Sequence, residues 1–201
     1  MDAFNLLKED HRKVEELFEE LESASGQAKM RVFEQIKMEL ELHTHIEEKI
    51  FYPALEKPKP THDLTLEAYE EHDVVKKLLQ QMSKAKSATE EWEAQAKVLQ
   101  ENVEHHVEEE ENELFEKAEA ALSEEQIEAL GEQMEAEKER KQRSASKSSS
   151  KKKSGSANKS ASKSRSASTA PKRARASKKS GSKSSSKSSG SKRSKKAAKK
   201  R

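Results

Sequence analysis

Apolar residues recur at intervals of three and four along residues 1–115, with almost none of the alternation that marks a half-buried strand. A first helix is expected from about Asp2 to Leu21, with Leu7, His11, Val14, Phe18 and Leu21 on one stripe, closed by Ser23-Ala-Ser-Gly26. A second carries Val32, Ile36, Leu40, His43, Glu47 and Ile50, and should stop at Pro53 and the Pro58/Pro60 pair. A third carries Ala68, His72, Val75, Leu79 and Met82. A fourth should begin near Ser87, where Ser87-Ala-Thr-Glu90 fits a capping box, and carries Leu99, Val103, His106, Glu110 and Leu114. A weaker fifth follows Ser123-Glu-Glu-Gln126, with Ile127, Leu130 and Met134 before its stripe fades into charge. The pattern predicts an all-α fold: an up-down-up-down antiparallel four-helix bundle over residues 1–120, then a short charged helix or linker over 121–143.

Four of those stripe positions are histidine and two are glutamate, where apolar side chains belong. The placement is repeated. Glu9-Asp-His11-Arg-Lys-Val14 matches Glu70-Glu-His72-Asp-Val-Val75, 61 residues apart. His43, Glu47 and Tyr52 match His106, Glu110 and Phe115, 63 residues apart. One helix pair has been used twice. Two such pairs stacked with pseudo-two-fold symmetry would bring their matching residues to one place.

A histidine inside a bundle can be satisfied by one hydrogen bond. An ionised glutamate there costs several kcal/mol or takes up a proton unless it is paired. Histidine at i and glutamate at i+4 share one helix face, so His43/Glu47 and His106/Glu110 together ask for a cation, and His11 and His72 add one imidazole each. Four imidazoles and two carboxylates exceed one tetrahedral ion but suit two ions bridged by carboxylate. Each residue alone also fits a plainer role, a hydrogen-bonded core histidine or a helix-edge glutamate reaching water. His45, His62 and His105 fall off the stripes and read as surface residues. Nitrogen and oxygen donors without sulfur suit iron, manganese or zinc, and the chain has no cysteine.

These motifs resemble the hemerythrin-like HHE cation-binding domain over roughly residues 1–120. The resemblance rests on Glu-Asp-His11, on His43-x3-Glu47 followed by Ile-Phe-Tyr-Pro53, on Glu-Glu-His72-Asp-Val-Val, and on His106-x3-Glu110 followed by Leu-Phe115. It implies a non-haem di-iron centre, oxo- or hydroxo-bridged, with His11, His43, His72 and His106 as terminal ligands and Glu47 and Glu110 as bridges. Zinc or manganese could substitute for the iron. Oxygen-carrying members offer a second third-helix histidine where this chain has Lys76, and an aspartate where it has Glu111. Both departures turn the expectation from oxygen carriage toward binding or sensing of oxygen, nitric oxide, peroxide or iron, with turnover left open. Tyr69, one turn before His72, is a candidate donor to a bound oxygen species, or an ordinary core tyrosine.

Charge divides the chain. All 38 acidic residues and 19 of the 40 Lys/Arg lie in residues 1–143, whereas residues 144–201 hold 21 Lys/Arg and no acid. All eight aromatics lie before residue 116, so the core must as well. The segment 144–201 is Ser, Lys, Ala and Arg with nothing large and apolar to offset ordering, which predicts a disordered basic tail. In composition alone it resembles the lysine-rich tails of linker histones and some bacterial histone-like proteins. Such a polycation would bind nucleic acid non-specifically and in a salt-sensitive way, and it could equally fold over its own acidic bundle or meet lipid headgroups. No apolar run spans a membrane and the start, MDAFNLLKED, is not leader-like, so a cytoplasmic protein is expected, nucleoid-associated if the tail takes DNA. Two other functions compete: a nucleic-acid-associated protective or packaging protein that sequesters iron, and a metal-free helical interaction scaffold. Oligomeric state leaves no mark in the sequence.

Overall fold

The computed structural model describes residues 1–154, with side chains described as far as Ser144. The described residues are helical, without strands. The helices are α1 (Ala3–Ser23), α2 (Gly26–Ile46), α3 (Tyr52–Leu55), α4 (Lys59–Met82), α5 (Glu90–Glu109), α6 (Phe115–Ala121) and α7 (Glu124–Ser154). Two π-helical turns, π1 (Glu47–Phe51) and π2 (Glu110–Leu114), join α2 to α3 and α5 to α6, so four rods result: α1, α2–π1–α3, α4 and α5–π2–α6.

Local chemistry explains the ends. Asp2 caps α1 by accepting from the Asn5 N–H at 2.9 Å. Gly26 opens α2 at a φ of +56°, a left-handed conformation that glycine adopts without strain. The capping box expected at Ser87 lies two residues too early: the Thr89 hydroxyl takes the cap of α5, accepting from the Trp92 N–H at 3.2 Å. A capping box forms instead at Ser123, with Gln126 N–H to Ser123 Oγ at 3.3 Å and Ser123 N–H to Gln126 Oε1 at 2.9 Å. Pro53 does not stop the second rod. It follows π1, where the hydrogen-bond ladder has already slipped by one residue, so its missing N–H costs little and the rod continues to Leu55.

The core is split in two by a polar layer. One apolar cluster gathers Val14, Phe18, Leu40, Val75, Leu79 and Val103 around Trp92 and Phe33. The other gathers Leu7, Ala68, Leu114, Phe115, Phe51 and Tyr52. Along α1 the chain passes from Leu7 in the second cluster through His11 to Val14 in the first; along the second rod it passes from Leu40 through His43 and Glu47 to Phe51, in the opposite sense. The third and fourth rods repeat this with Ala68–His72–Val75 and Val103–His106–Glu110–Leu114. The alternating sense is the up-down-up-down topology, and the buried histidines and glutamates form its mid-layer.

The fifth helix is longer than expected and it docks. Ile127 and Met134 of α7 are buried in the second cluster, and Glu137, itself buried, accepts from Lys49 Nζ at 2.7 Å and lies 2.6 Å from His45 Nε2. His45, expected on the surface, is half-buried under this helix. The backbone of α7 stays helical to Ser154, past the boundary expected at 143, through serine, lysine and alanine that extend a helix already nucleated at little cost. From residue 155 on, the expected disordered tail lies outside the described residues. Among the described residues, no helix is long and apolar enough to cross a membrane.

Candidate metal centre

Each rod brings one histidine to the mid-layer, and the second and fourth add a glutamate at the first position of their π-turns. His11, His43, Glu47, His72, His106 and Glu110 are all buried, the two glutamates at 0 % and 2 % exposure. They fall into two groups whose donor atoms lie within 4.8 Å of one another: His11, His43, Glu47 and Glu110, and Glu47, His72 and His106. Glu47 belongs to both. Its Oε2 is 3.2 Å from His43 Nε2 and 3.2 Å from His72 Nε2, while Glu110 Oε2 is 3.3 Å from His11 Nε2.

Behind each imidazole stands a carboxylate from a neighbouring rod. Glu111 is 2.7 Å from His11 Nδ1, Glu48 is 3.0 Å from His72 Nδ1, Glu71 is 2.7 Å from His106 Nδ1, and Asp10 is 3.7 Å from His43 Nδ1. A carboxylate only accepts, so the Nδ1 atoms of His11, His72 and His106 carry protons and their Nε2 atoms face inward. His72 Nε2 and His106 Nε2 face each other at 3.3 Å. This arrangement is the carboxylate–histidine pairing that orients metal ligands. Lys76 lies outside the mid-layer and pairs with Glu48 behind His72.

Electrostatics agree that the layer is short of positive charge. Burial pushes the Glu47 carboxyl well above its ordinary range, and the charge of Glu110 pushes it further. Burial also raises Glu110, but the His11 imidazole 3.3 Å away, with His106 and His43 close by, outweighs it and holds that carboxyl low. Burial lowers His11, yet the Glu110 carboxylate 3.3 Å away, with the charge of Glu47, lifts it to about 9. Burial takes His43 down to about 4. Buried atoms without hydrogen-bond partners include both Glu47 oxygens, Glu110 Oε2, His11 Nε2 and His43 Nδ1. Orphaned acceptors converging in one dry layer are what a cation would satisfy; nitrogen and oxygen donors without sulfur fit iron, manganese or zinc.

The family model for the hemerythrin HHE cation-binding domain matches residues 2–118. The chain belongs to the hemerythrin HHE family. The crystal structure of an HHE cation-binding domain-containing protein from Mycobacterium kansasii matches with a TM-score of 0.63 and 25 % identity, over 72 % of this chain and 90 % of that one. A DNA nickase from Nostoc sp. (strain PCC 7120 / SAG 25.82 / UTEX 2576) is 32 % identical over 139 residues, 69 % of this chain. The HHE chain spans only 39 % of that relative's length.

Two features of the HHE centre escaped the sequence. Tyr52, not Tyr69, reaches the mid-layer: its hydroxyl donates to Glu110 Oε1 at 3.3 Å and lies 3.3 Å from His72 Nε2. Burial, with Glu110 and Glu47 nearby, keeps that phenol protonated, its pKa pushed well above the ordinary value. Tyr69 lies outside this layer, packed edge-on against the Tyr52 ring. The second is a cavity of about 20 Å³ against the layer, with His11, His43, His72 and His106 on its wall opposite Val14, Leu40, Val75 and Val103. His62 lies on the surface with Nδ1 2.8 Å from the Glu56 carbonyl, and the His105 side chain is 61 % exposed.

Proposed function

We propose that this HHE protein holds two iron ions, with His11, His43, His72 and His106 as terminal ligands and Glu47 and Glu110 as carboxylate ligands, and that it binds a small molecule there. The observation that carries this reading is the pair of imidazoles at 3.3 Å, His72 and His106, each with its Nδ1 proton committed outward and its Nε2 turned in. Two nitrogens so placed have one proton at most to share, and a cation between them satisfies both. Iron in this layer would supply redox chemistry toward oxygen, nitric oxide or peroxide.

The side chains have distinct parts in this. Glu48, Glu71 and Glu111 fix the tautomer and aim the rings. Lys76 restrains Glu48. Tyr52 donates to Glu110 and stays protonated. The valine-walled cavity, about the size that one water or one diatomic molecule needs, favours an apolar guest over a hydrated ion. The test is elemental analysis with an ultraviolet–visible spectrum on the parent and His43→Ala/His106→Ala proteins. About two irons per chain in the parent and almost none in the variant are expected for a di-metal bundle. Equal metal in both, or none in either after anaerobic ferrous loading, overturns the reading and leaves a helical scaffold.

A second reading concerns residues 144–201. Their 21 positive charges without an acid, and a relative named for action on DNA, favour attachment to nucleic acid through phosphate contacts, with no means of base readout. Anisotropy of a fluorescent duplex, titrated with full-length chain and with a chain ending at Arg143, should give binding only to the first and a steep loss with salt. If the shortened chain binds as well, the basic segment is not the anchor.

A further inference from the structure

Glu71, His105 and Glu109 form a third group of donor side chains, separate from the buried six, with one donor atom each within 4.8 Å of the others. His105 Nε2 is 3.5 Å from Glu109 Oε1 and 3.8 Å from Glu71 Oε1. A surface histidine between two glutamates is common by itself. Three further observations set this one apart.

Glu71 faces two ways. Its Oε2 accepts from His106 Nδ1 at 2.7 Å while its Oε1 turns to the surface group. A narrow cleft of about 10 Å³ is lined by Glu71 and Glu109 of the surface group together with His106 and Glu110 of the buried layer, between Leu64 and Leu114. Glu110 also lines that cleft; it is 2 % exposed, and its Oε2, which has no hydrogen-bond partner, lies on the mid-layer side, 3.3 Å from His11 Nε2. The internal repeat offers a control. Where the second half has His105 and Glu109, the first half has Leu42 and Ile46, and the counterpart of Glu71, Asp10, is taken by Lys138 of α7. The repeat-related face, with Leu42, Ile46 and a lysine-paired Asp10, offers no matching trio of donors.

We propose that Glu71, His105 and Glu109 are a surface docking site for a divalent cation, and that ions pass from it along the Glu71/Glu109 cleft to Glu110 and His106. One imidazole and two carboxylates suit the borderline ions, ferrous iron among them. The part in loading rests on the di-metal reading above, whereas cation binding by the surface group does not.

The test uses cobalt(II) alone as probe, on the full-length protein stripped with a chelator, with ions counted by equilibrium dialysis and loading followed by stopped-flow absorbance. The parent should take up about two ions tightly and one weakly. The H105A/E109Q variant, which alters none of the six buried donors, should lose the weak ion, keep the tight pair, and load that pair at least about tenfold more slowly. H105A alone should weaken the outer ion about tenfold with both carboxylates retained. The H43A/E47Q variant should lose the tight pair and keep the weak ion. An unchanged ion count in H105A/E109Q removes the docking site, and an unchanged loading rate removes the path. A parent with the weak ion but no tight pair defeats the di-metal reading and leaves the surface site standing.

Discussion

Lys138 of α7 lies 2.7 Å from Asp10 Oδ2, and that same oxygen is 3.7 Å from His43 Nδ1. The other half of the repeat has no such lysine, and there Glu71 sits 2.7 Å from His106 Nδ1. Four rods built from one duplicated pair would give contacts equivalent two by two, Asp10–His43 with Glu71–His106 and Glu48–His72 with Glu111–His11. The fifth helix breaks that equivalence at one corner by drawing Asp10 toward itself. His43 is therefore the least firmly aimed of the four imidazoles, and α7 is tied electrostatically to the mid-layer as well as packed beneath it.

Replacing Lys138 with alanine should free Asp10 to close on His43 while leaving it without its ammonium partner. The lysine is 19 % and the aspartate 12 % exposed, so the pair is shielded enough to matter, at about 1–2 kcal/mol. Chemical denaturation checks the loss. Hydrogen exchange should show faster opening of residues 134–143 than of α1. A variant with unchanged exchange in α7 would mean that Ile127 and Met134 alone hold the helix.

Gly131 allows the close approach of α7 to the start of α1. A Cβ built there would come 2.3 Å from the Met1 carbonyl oxygen, 2.7 Å from the Asp2 carbonyl carbon and 2.8 Å from the Ala3 nitrogen. All three are backbone atoms, so the strands of chain must part. Gly131→Ala gains up to about 1 kcal/mol in helix propensity and should still lose about 1–3 kcal/mol net to overpacking. A lower midpoint in thermal unfolding is the expected result, and a higher one would show that the two segments are not in contact.

Much of this was legible in the sequence, for a physical reason. The 3.6-residue period is written by burial, so the stripes gave the four rods, and a histidine or glutamate on a stripe is conspicuous because burial penalises it. The six mid-layer residues were found that way. Glu48, Glu71 and Glu111 were not, since a glutamate beside a stripe looks like its solvated neighbours until the partner helix is in place. The repeat held the missing signal: an acid precedes His11 and His72, and an acid follows Glu47 and Glu110. The π-turns have no period of their own to read, and their extra residue per turn rotates Tyr52 inward. That rotation puts Tyr52 at the mid-layer and leaves Tyr69 as a packing tyrosine, the plainer of its two expected roles. The docking of α7 depends on Gly131 and on charges, Glu137 and Lys138, that by pattern alone look like exposed ones.

The metal-free protein should become less stable as pH rises, and Glu47 should be a main reason. Its folded-state pKa lies well above the ordinary value of 4.5 because it is buried beside Glu110. The folded state thus holds that proton more tightly than the unfolded chain, and the stability so contributed is full below pH 4.5 and lost as pH climbs toward the folded value. Glu47→Gln cannot titrate. In the presence of chelator it should match the parent near pH 4 and exceed it by about 1–3 kcal/mol on the alkaline side. Urea unfolding across that range is the check, and parallel curves would refute the assignment. With iron supplied the order should reverse, because the amide is the poorer ligand.

Tyr52→Phe removes a phenol that donates to Glu110 Oε1 across 3.3 Å. A contact that long contributes little to folding, under about 1 kcal/mol, so the variant should fold and keep both irons. The absorption spectrum of the loaded protein should shift, because Glu110 regains a free lone pair. Tyr69→Phe should leave the spectrum unchanged. The reverse outcome would make Tyr69 the donor.

The small cavity offers the sharpest separation of ligand binding from metal binding. Val103 lines it opposite the histidines and donates nothing to the mid-layer. Val103→Leu adds one methylene to a space of about 20 Å³, enough to fill most of it at a packing cost of about 1–3 kcal/mol. Iron content should stay at the parent level, while nitric oxide should bind the loaded protein at least about tenfold more slowly or weakly, a loss of about 1.4 kcal/mol. Val103→Ala should enlarge the space and speed binding. If both variants bind nitric oxide as the parent does, the guest reaches the centre from another side. The cleft beside Glu71 and Glu109 would then be the route to examine, and cobalt bound there should compete with the gas.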